Sequence, residues 1–438
     1  MARQKSLSAL ALVATVVAAC GVGATPGAAA AAQAAEASHA PVTITVFNWG
    51  QGGDKYWADA NKAFEAKYPW ITVKAESVPF EQYLQQEGAY INSKSGPDVM
   101  ANNVGLELFE RKTAYLPLND RLTPDITGQL ATYAWGCDNF DTTKSCYGLP
   151  QSFQGNVMYY NIKVLQAAGV DTKDPPATWG AFSAACDKIK ATGKACIAMG
   201  TGSTVAYWDY PEVARNYLDE QGIIDQFKGK IPWTDPRMVD ILKRLAEMAD
   251  KGWFQPSAST IPMLPDGGDV FTSGNAGFVA SIISDVFNWK QWGDVVGNDN
   301  LGVMPWPVIN ASAPLAHKFS GVEGFVHGVT TWSQHPDEAF LYVAWLASAD
   351  NANLFLKEAG GQPINKTFNA GLITNSPSFT KIQTLIKDPT LHAGVLLSGK
   401  EADALSRGYQ QIMLKQITVD QWVQQMQAAL VASPEKQP

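Results

Sequence analysis

The chain has 438 residues, more than one hydrophobic core usually serves, so two domains are expected. Hydrophobic residues make up 46% and aromatic ones 11%, the mark of a well-packed globular protein. The net charge is -8 and no cluster of Lys and Arg interrupts it, which argues against a nucleic-acid partner, because phosphate binding needs gathered cations.

The first residues read as a targeting segment. Arg3 and Lys5 form a basic start, Ser6 to Ala19 is apolar, and Val17-Ala18-Ala19-Cys20 follows. This resembles a bacterial lipobox, with residues 1–19 a signal peptide cut before Cys20, whose thiol takes a lipid; an ordinary signal peptide cut later is the other reading. Gly21 to Ala40 has no periodic apolar face, so residues 20–41 are expected to be a lipidated cysteine and a flexible tether. Cysteine usage fits export to an oxidising compartment. Cys137, Cys146, Cys186 and Cys196 allow three pairings, and Cys137 with Cys146 and Cys186 with Cys196 are favoured because each closes a short loop. A zinc site is the competing reading, weakened by the lack of a C-x-x-C motif and of His at ligand spacing.

From Val42 the pattern alternates strands and helices. Val42 to Phe47 is a predicted strand ending at Asn48-Trp49-Gly50-Gln51, Tyr56 to Tyr68 a helix stopped by Pro69, and Ile71 to Val73 a second strand. A helix around Glu81 to Ser93 follows, and then a strand through Gly96-Pro97-Asp98-Val99-Met100 that leads to Asn102 and Asn103. Such alternation predicts an α/β fold with a mostly parallel sheet and ligand groups at the carboxyl ends of its strands. Further on, Tyr207-Trp208-Asp209 follows a glycine-rich loop and is expected at a strand end. Asp235 to Lys251 is an amphipathic helix, and Gly274 to Val279 a strand. Leu301 to Pro307 is a strand broken by prolines, Phe319 to Thr330 a glycine-punctuated strand pair, and His335 to Leu346 a helix.

Between these halves, Tyr147-Gly148-Leu149-Pro150 reads as an edge strand stopped by a proline, since Pro cannot donate to a ladder. Gln151, Ser152, Gln154 and Asn156 then set neutral hydrogen-bonding groups beside Phe153, which suits a hydroxyl-rich ligand, and Val157 to Tyr160 resumes a strand. The run Tyr-Gly-x-Pro, Tyr159/Tyr160-Asn161, a helix, Ala168-Gly169-Val170-Asp171 and Pro175-Pro176-Ala177-Thr178-Trp179 resembles the hinge region of the family 1 extracellular solute-binding proteins of ABC importers, the carbohydrate-binding, maltose-binding-protein-like group. Phe64 to Val73, Gly96-Pro97-Asp98-Val99, Phe271 to Gly277, Pro336-Asp337-Glu338-Ala339 and Ala344-Trp345-Leu346 match the family in the same order.

The resemblance implies a two-lobe, type II periplasmic-binding-protein-like fold, with a ligand cleft between the lobes and a hinge of several segments. The first lobe is expected from 42–152 plus 305–358 and the second from 153–304 plus 359–438, with crossings near 151–152, 305 and 360–363. It also implies capture of a mono- or oligosaccharide by hinge closure and delivery to the membrane permease of an ABC importer. The protein would be a monomer held on the outer face of the cytoplasmic membrane through Cys20, with no cofactor. From the reading of the residues and the resemblance together, the expected ligand contacts are Trp49, Gly50, Gln51, Asn102, Asn103, Gln151, Phe153, Gln154, Tyr207, Trp208, Asp209, Ser284, Asp285, Trp289, Glu323 and Arg407. Gln154 and Asn102 depart from the family's acidic and Trp contacts at those places, which tells against maltose itself. Trp, Asn, Gln and Asp suit a sugar: rings cover its C–H faces, while amides and carboxylates bind its hydroxyls.

Two rival functions use similar residues. A secreted glycoside hydrolase needs a positioned pair of carboxylates, for which Glu76, Glu81, Asp98, Asp285 and Glu323 are candidates without a signature. No H-E-x-x-H, P-loop, G-x-S-x-G or G-x-G-x-x-G motif occurs. A binding protein for a polyamine or peptide would need several cleft carboxylates facing an ammonium, whereas the expected cleft is rich in amides.

Overall fold

Two separate sheets organise the computed structural model, which describes residues 39–50, 54–132, 136–137, 145–202, 204–390 and 393–436. Cys20 and Gln51 lie outside the described residues, as does the side chain of Tyr207. Among the described residues no helix is long and apolar enough to cross a membrane.

The first lobe begins with β1 (Val42–Trp49), α1 (Asp54–Lys67), β2 (Ile71–Val78), α2 (Phe80–Ser93) and β3 (Val99–Asn103). β2 and β3 both lie parallel to β1, as strands joined through crossover helices must. α3 (Leu106–Glu110) follows, and β4 (Leu149–Pro150) lies far along the chain. The sheet order is β2-β1-β3-β10-β4, so the two-residue β4 sits at an edge, where Pro150 deprives no neighbour of a donor.

The second lobe is built around β5 (Phe153–Asn161), with α4 (Trp179–Ala191), β6 (Ala195–Ala198), α5 (Thr204–Ala214), α6 (Pro236–Asp250), β7 (Ala276–Ile282), β8 (Leu301–Met304) and β9 (Phe319–Glu323). β7 pairs along one side of β5 and runs antiparallel to it, as do β8 and β9, so this sheet is not the mostly parallel one expected from the alternation of strands and helices. On the other side β9 pairs with Phe153–Gly155 and β8 with Met158–Asn161, end to end. After β10 (Phe325–Val329) and α7 (Pro336–Leu346) in the first lobe, the chain returns to β11 (Pro389–Thr390), α8 (Gly399–Met413) and α9 (Val419–Val431). Both expected local disulfides, Cys137–Cys146 and Cys186–Cys196, are formed.

Three connecting segments run side by side between the lobes. The first is Gln151-Ser152, between β4 and β5. The second is Gly324, between β9 and β10, instead of Pro305: β9 pairs with β5 and β11, so residues 305–323 belong with the second lobe. The glycine-punctuated pair Phe319 to Thr330 is therefore no hairpin, because its two strands lie in different sheets. The third segment touches the first two at Gln362-Pro363, yet residues 364–369 still bond to Gln129, Ala131, Ala347 and Asn353 of the first lobe before the chain enters the second. The Gly324 N–H donates to the Ser152 carbonyl (2.8 Å) and the Phe153 N–H to the Gln362 carbonyl (2.8 Å), while Ser152 also bridges to Pro363. A Cβ on Gly324 would stand 2.0 Å from Ser152 Oγ, so any side chain there would force the Ser152 hydroxyl to turn aside.

Candidate functional site

A narrow cavity of about 50 Å³ lies between the lobes. The first lobe supplies one wall from neighbouring strands. Trp49 ends β1 and Asn103 ends β3, while Phe325 begins the antiparallel β10 directly opposite Asn103, so all three reach the same edge of the sheet. Phe80, at the start of α2, completes this wall. Trp49 is fixed edge-on against Phe80 (5.3 Å between ring centroids), Tyr83 (5.0 Å) and Phe325 (5.4 Å). The second lobe's wall comes from Gln154 on β5, Ile282 at the end of β7, Trp208 on α5, and Leu264, Asp285 and Val286 from loops.

Among the described residues a hydrogen bond crosses the cleft: Trp49 Nε1 donates to Asp285 Oδ2 at 2.9 Å. Ser284 Oγ donates to the other carboxyl oxygen at 2.7 Å. Burial raises the Asp285 pKa above its ordinary value, and these two donors oppose the shift by favouring the charged form. Among the described lining residues Asp285 is the one ionisable side chain. Among the described residues the arrangement offers flat rings, two neutral amides and a single carboxylate acceptor, and no cation.

Trp49, Asn103, Gln154, Trp208 and Asp285 thus meet at the cavity. Trp208 lies on a helix, not at a strand end, and only 5% of it is exposed. Asn102 faces the opposite side of β3 from Asn103, as the two-residue period of a strand requires. There its amide donates to Glu87 Oε1 (2.8 Å) and the Tyr115 hydroxyl (2.9 Å), and Arg111 donates to its oxygen (3.2 Å). Burial pushes Glu87 up to about 7 against the opposing charge of Arg111. Asp209 points into the second lobe, where burial first and the charge of Glu212 second push it up to about 7. It does not line the cavity.

The remaining expected contacts sit elsewhere. Gly50 donates its N–H to the Val78 carbonyl (3.1 Å) beside the end of β1. Gln151 is buried at the first crossing and donates to the Tyr56 hydroxyl (2.5 Å). Phe153 stacks on Phe319. Glu323 is buried at the second crossing and accepts from Thr132 Oγ1 (2.6 Å). Trp289 packs on Phe379 in the core of the second lobe. Arg407 is exposed in a groove between α8 and α9, paired with Asp403 at 3.3 Å. Phe80, Leu264, Ile282, Val286 and Phe325 were not expected from sequence. Phe80 follows the end of β2 and Phe325 follows the crossing Gly324, which are usable signals; Leu264 carries none.

Fold and site together define an α/β binding protein of the type II periplasmic-binding-protein-like class, with a cleft between two sheets. The chain belongs to the bacterial extracellular solute-binding protein family, whose sequence profile matches residues 48–353. A protein of Brucella abortus (strain 2308), named only as a binding protein, is 25% identical over 347 residues, which cover 76% of this chain and 79% of that one. The sn-glycerol-3-phosphate-binding periplasmic protein of Escherichia coli (strain K12) is 24% identical over 240 residues, 52% of this chain and 51% of that protein. Among solved structures, a chitin oligosaccharide binding protein superposes with a TM-score of 0.76 at 20% identity, over 90% of this chain and 98% of its own. That likeness concerns the fold.

Proposed function

We propose that this protein captures a neutral sugar, best an oligosaccharide, by closing its lobes, and that it hands the sugar to the permease of an ABC importer while tethered to the membrane through Cys20. The observation that carries this reading is the Trp49–Asp285 hydrogen bond across the cleft. It puts an aromatic platform of one lobe and a carboxylate acceptor of the other within reach of one small ligand, with Trp208, Asn103 and Gln154 around them. A ligand gripped from both sides favours the closed state through contacts the open state lacks. The chitin-oligosaccharide relative supports the sugar class. A glycerol phosphate, the ligand named for the E. coli relative, would call for Lys or Arg at the phosphate, and no described residue lining the cavity supplies one. Glycoside hydrolysis uses two carboxylates, whereas the described lining holds one.

A thermal-shift panel of chito-, malto- and xylo-oligosaccharides, the corresponding monosaccharides and glycerol 3-phosphate tests the ligand class, because a ligand bound only by the native state raises its melting temperature with concentration. At least one neutral sugar should stabilise the protein, and the effect should shrink in Asp285→Asn. Stabilisation by glycerol 3-phosphate alone would overturn the sugar reading. Separately, Cys20→Ser should release the protein from the membrane fraction; retention with the leader removed would refute the lipid anchor.

A further inference from the structure

The carboxylate of the cleft, Asp285, belongs to a second-lobe loop, residues 283–288, that the first lobe holds at its start, middle and end. At the start, the Gln362 N–H donates to the Ile283 carbonyl (3.0 Å). In the middle, Trp49 Nε1 donates to Asp285 itself. At the end, Asn288 Nδ2 donates to the Ala359 carbonyl (2.8 Å) and to the Ser284 carbonyl (3.3 Å). Ala359 closes the helical stretch Phe355–Ala359, which is fastened to the first lobe: Phe355 packs on Tyr56 (5.2 Å between ring centroids), and the Tyr56 hydroxyl donates to Asn351 (3.0 Å). The lobes also meet where Glu110 accepts the Gly399 N–H (3.1 Å), but neither of those residues lines the cavity.

The two ends of the Asn288 amide act differently. Its Oδ1 accepts from the N–H groups of Lys290 (3.0 Å) and Gln291 (3.3 Å) and so caps the helix Trp289–Val296. Its Nδ2 closes the loop around Asp285, by bonding to Ser284, and ties that loop to the first lobe at Ala359. Asn288 is fully buried, so deleting the donor leaves a buried carbonyl short of its partner.

The rest of the loop depends on being held. Phe287 lies in the left-handed region at φ 46°, a costly place for an aromatic residue, and persists there because Gln291 Oε1 accepts its N–H and Ser281 Oγ donates to its carbonyl (2.8 Å). Gln291 Nε2 also donates to the Asp285 carbonyl (3.3 Å). On the other side, a Cβ on Gly361 would stand 2.6 Å from the Ser284 carbonyl oxygen, so the segment next to Gln362 lies directly on the loop backbone. Ser284 in turn supplies the second donor to the Asp285 carboxylate. A shift at Asn288 therefore reaches Asp285 through one turn of backbone.

We propose that Asn288 is a positioning residue: by tying the Asp285 loop to the first lobe beside the crossings, it fixes where the carboxylate meets Trp49 and the ligand. Its bearing on affinity rests on the reading of the cleft given above.

Asn288→Ser tests this, because serine keeps a helix-capping oxygen and is too short to reach Ala359. Two readouts are taken on the mature protein. The first needs no ligand: the indole N–H resonance of Trp49, identified by its loss in Trp49→Phe. Asp285→Ala should move that resonance by removing its acceptor, and Asn288→Ser should move it too, while the indole resonances of the buried Trp233 and Trp422 stay in place. The second is a double-mutant cycle on affinity for whichever chito-, malto- or xylo-oligosaccharide binds. Asn288→Ser should weaken binding roughly two- to thirtyfold, and much less once Asp285 is already Ala. An unmoved Trp49 resonance, or equal losses with and without Asp285, would overturn the proposal, and a lower melting temperature beside it would then assign Asn288 to the fold alone. If no sugar binds and the Trp49 resonance still moves in Asn288→Ser, the sugar reading falls and the positioning of Asp285 stands.

Discussion

The two walls of the cleft are made differently. In the first lobe, Trp49, Asn103 and Phe325 sit on three neighbouring strands and reach one edge of one sheet, so the order β1-β3-β10 alone brings them together. In the second lobe only Gln154 and Ile282 come from the sheet, while Trp208 comes from a helix and Leu264, Asp285 and Val286 from loops. The first wall is mostly rings and the second holds the carboxylate. A sheet edge presents a stable flat platform, whereas the loops that pack against it can vary in chemistry, so the proposed function places ligand choice mainly on the second wall.

The sharpest way to break this comparison is Trp208→Ala. Because the ring is buried as well as cleft-lining, the change should cost about 3–5 kcal/mol of stability, as for other buried aromatics. Sugar affinity should drop by about 2 kcal/mol, roughly thirtyfold. Trp208→Phe separates the two effects: unliganded melting should recover most of its loss, while calorimetry still records weaker binding. Full affinity in Trp208→Phe would assign the residue to the core only.

Next in size is Asp285→Ala. Losing a charge-assisted acceptor should weaken binding by about 1.5–3 kcal/mol, with a smaller effect from Trp49→Phe, which keeps the ring and deletes the Nε1 donor to Asp285. Equal affinity in wild type and Asp285→Ala would move ligand choice off the second wall.

Asn102→Ala and Asn103→Ala form a matched pair on one strand. The first should cost about 1–3 kcal/mol of stability, read as a lower melting temperature, since it strips a hydrogen-bond partner from the buried Glu87, with affinity kept. The second should weaken binding by about 1 kcal/mol and leave melting near wild type. A reversed outcome would mean that β3 presents its other face to the cleft.

The smallest expected effect is a null. His327, buried in β10 with Nε2 2.9 Å from Asn48 Oδ1, is pushed by burial down to about 3. Its ring resonances should not move between about pH 8 and pH 5. A histidine neutral in the native state loses stability as pH falls below the unfolded value near 6.5, about 1.4 kcal/mol per unit. Glu87 and Asp209, raised to about 7, act in the opposite sense between about pH 4 and pH 7, which is why the ring itself is the cleaner probe.

Much of the fold was legible locally. The alternation from Val42, the proline-stopped β4 and the amide-rich run after it carry their own chemistry, so the strands, both local disulfides and the first crossing follow from neighbours in sequence. The second crossing was misplaced for the same reason. Prolines at 305 and 307 look like a break, yet β9 stays in the second lobe because its partners, β5 and β11, lie more than sixty residues away in either direction.

What the sequence determined by itself was the family pattern, the α/β class and the residue types that suit a sugar, all of which depend on short-range periodicity and spacing. Which of those residues meet was decided by the tertiary structure. Asn102 and Asn103 are equally polar and adjacent, and only the face of β3 turned toward the cleft separates a network residue from a cleft residue. Trp49 and Asp285 are 236 positions apart, and Glu110 and Gly399 are 289. Their contacts exist only because three hinge segments fold one sheet's edge against the other, and no local pattern records that distance.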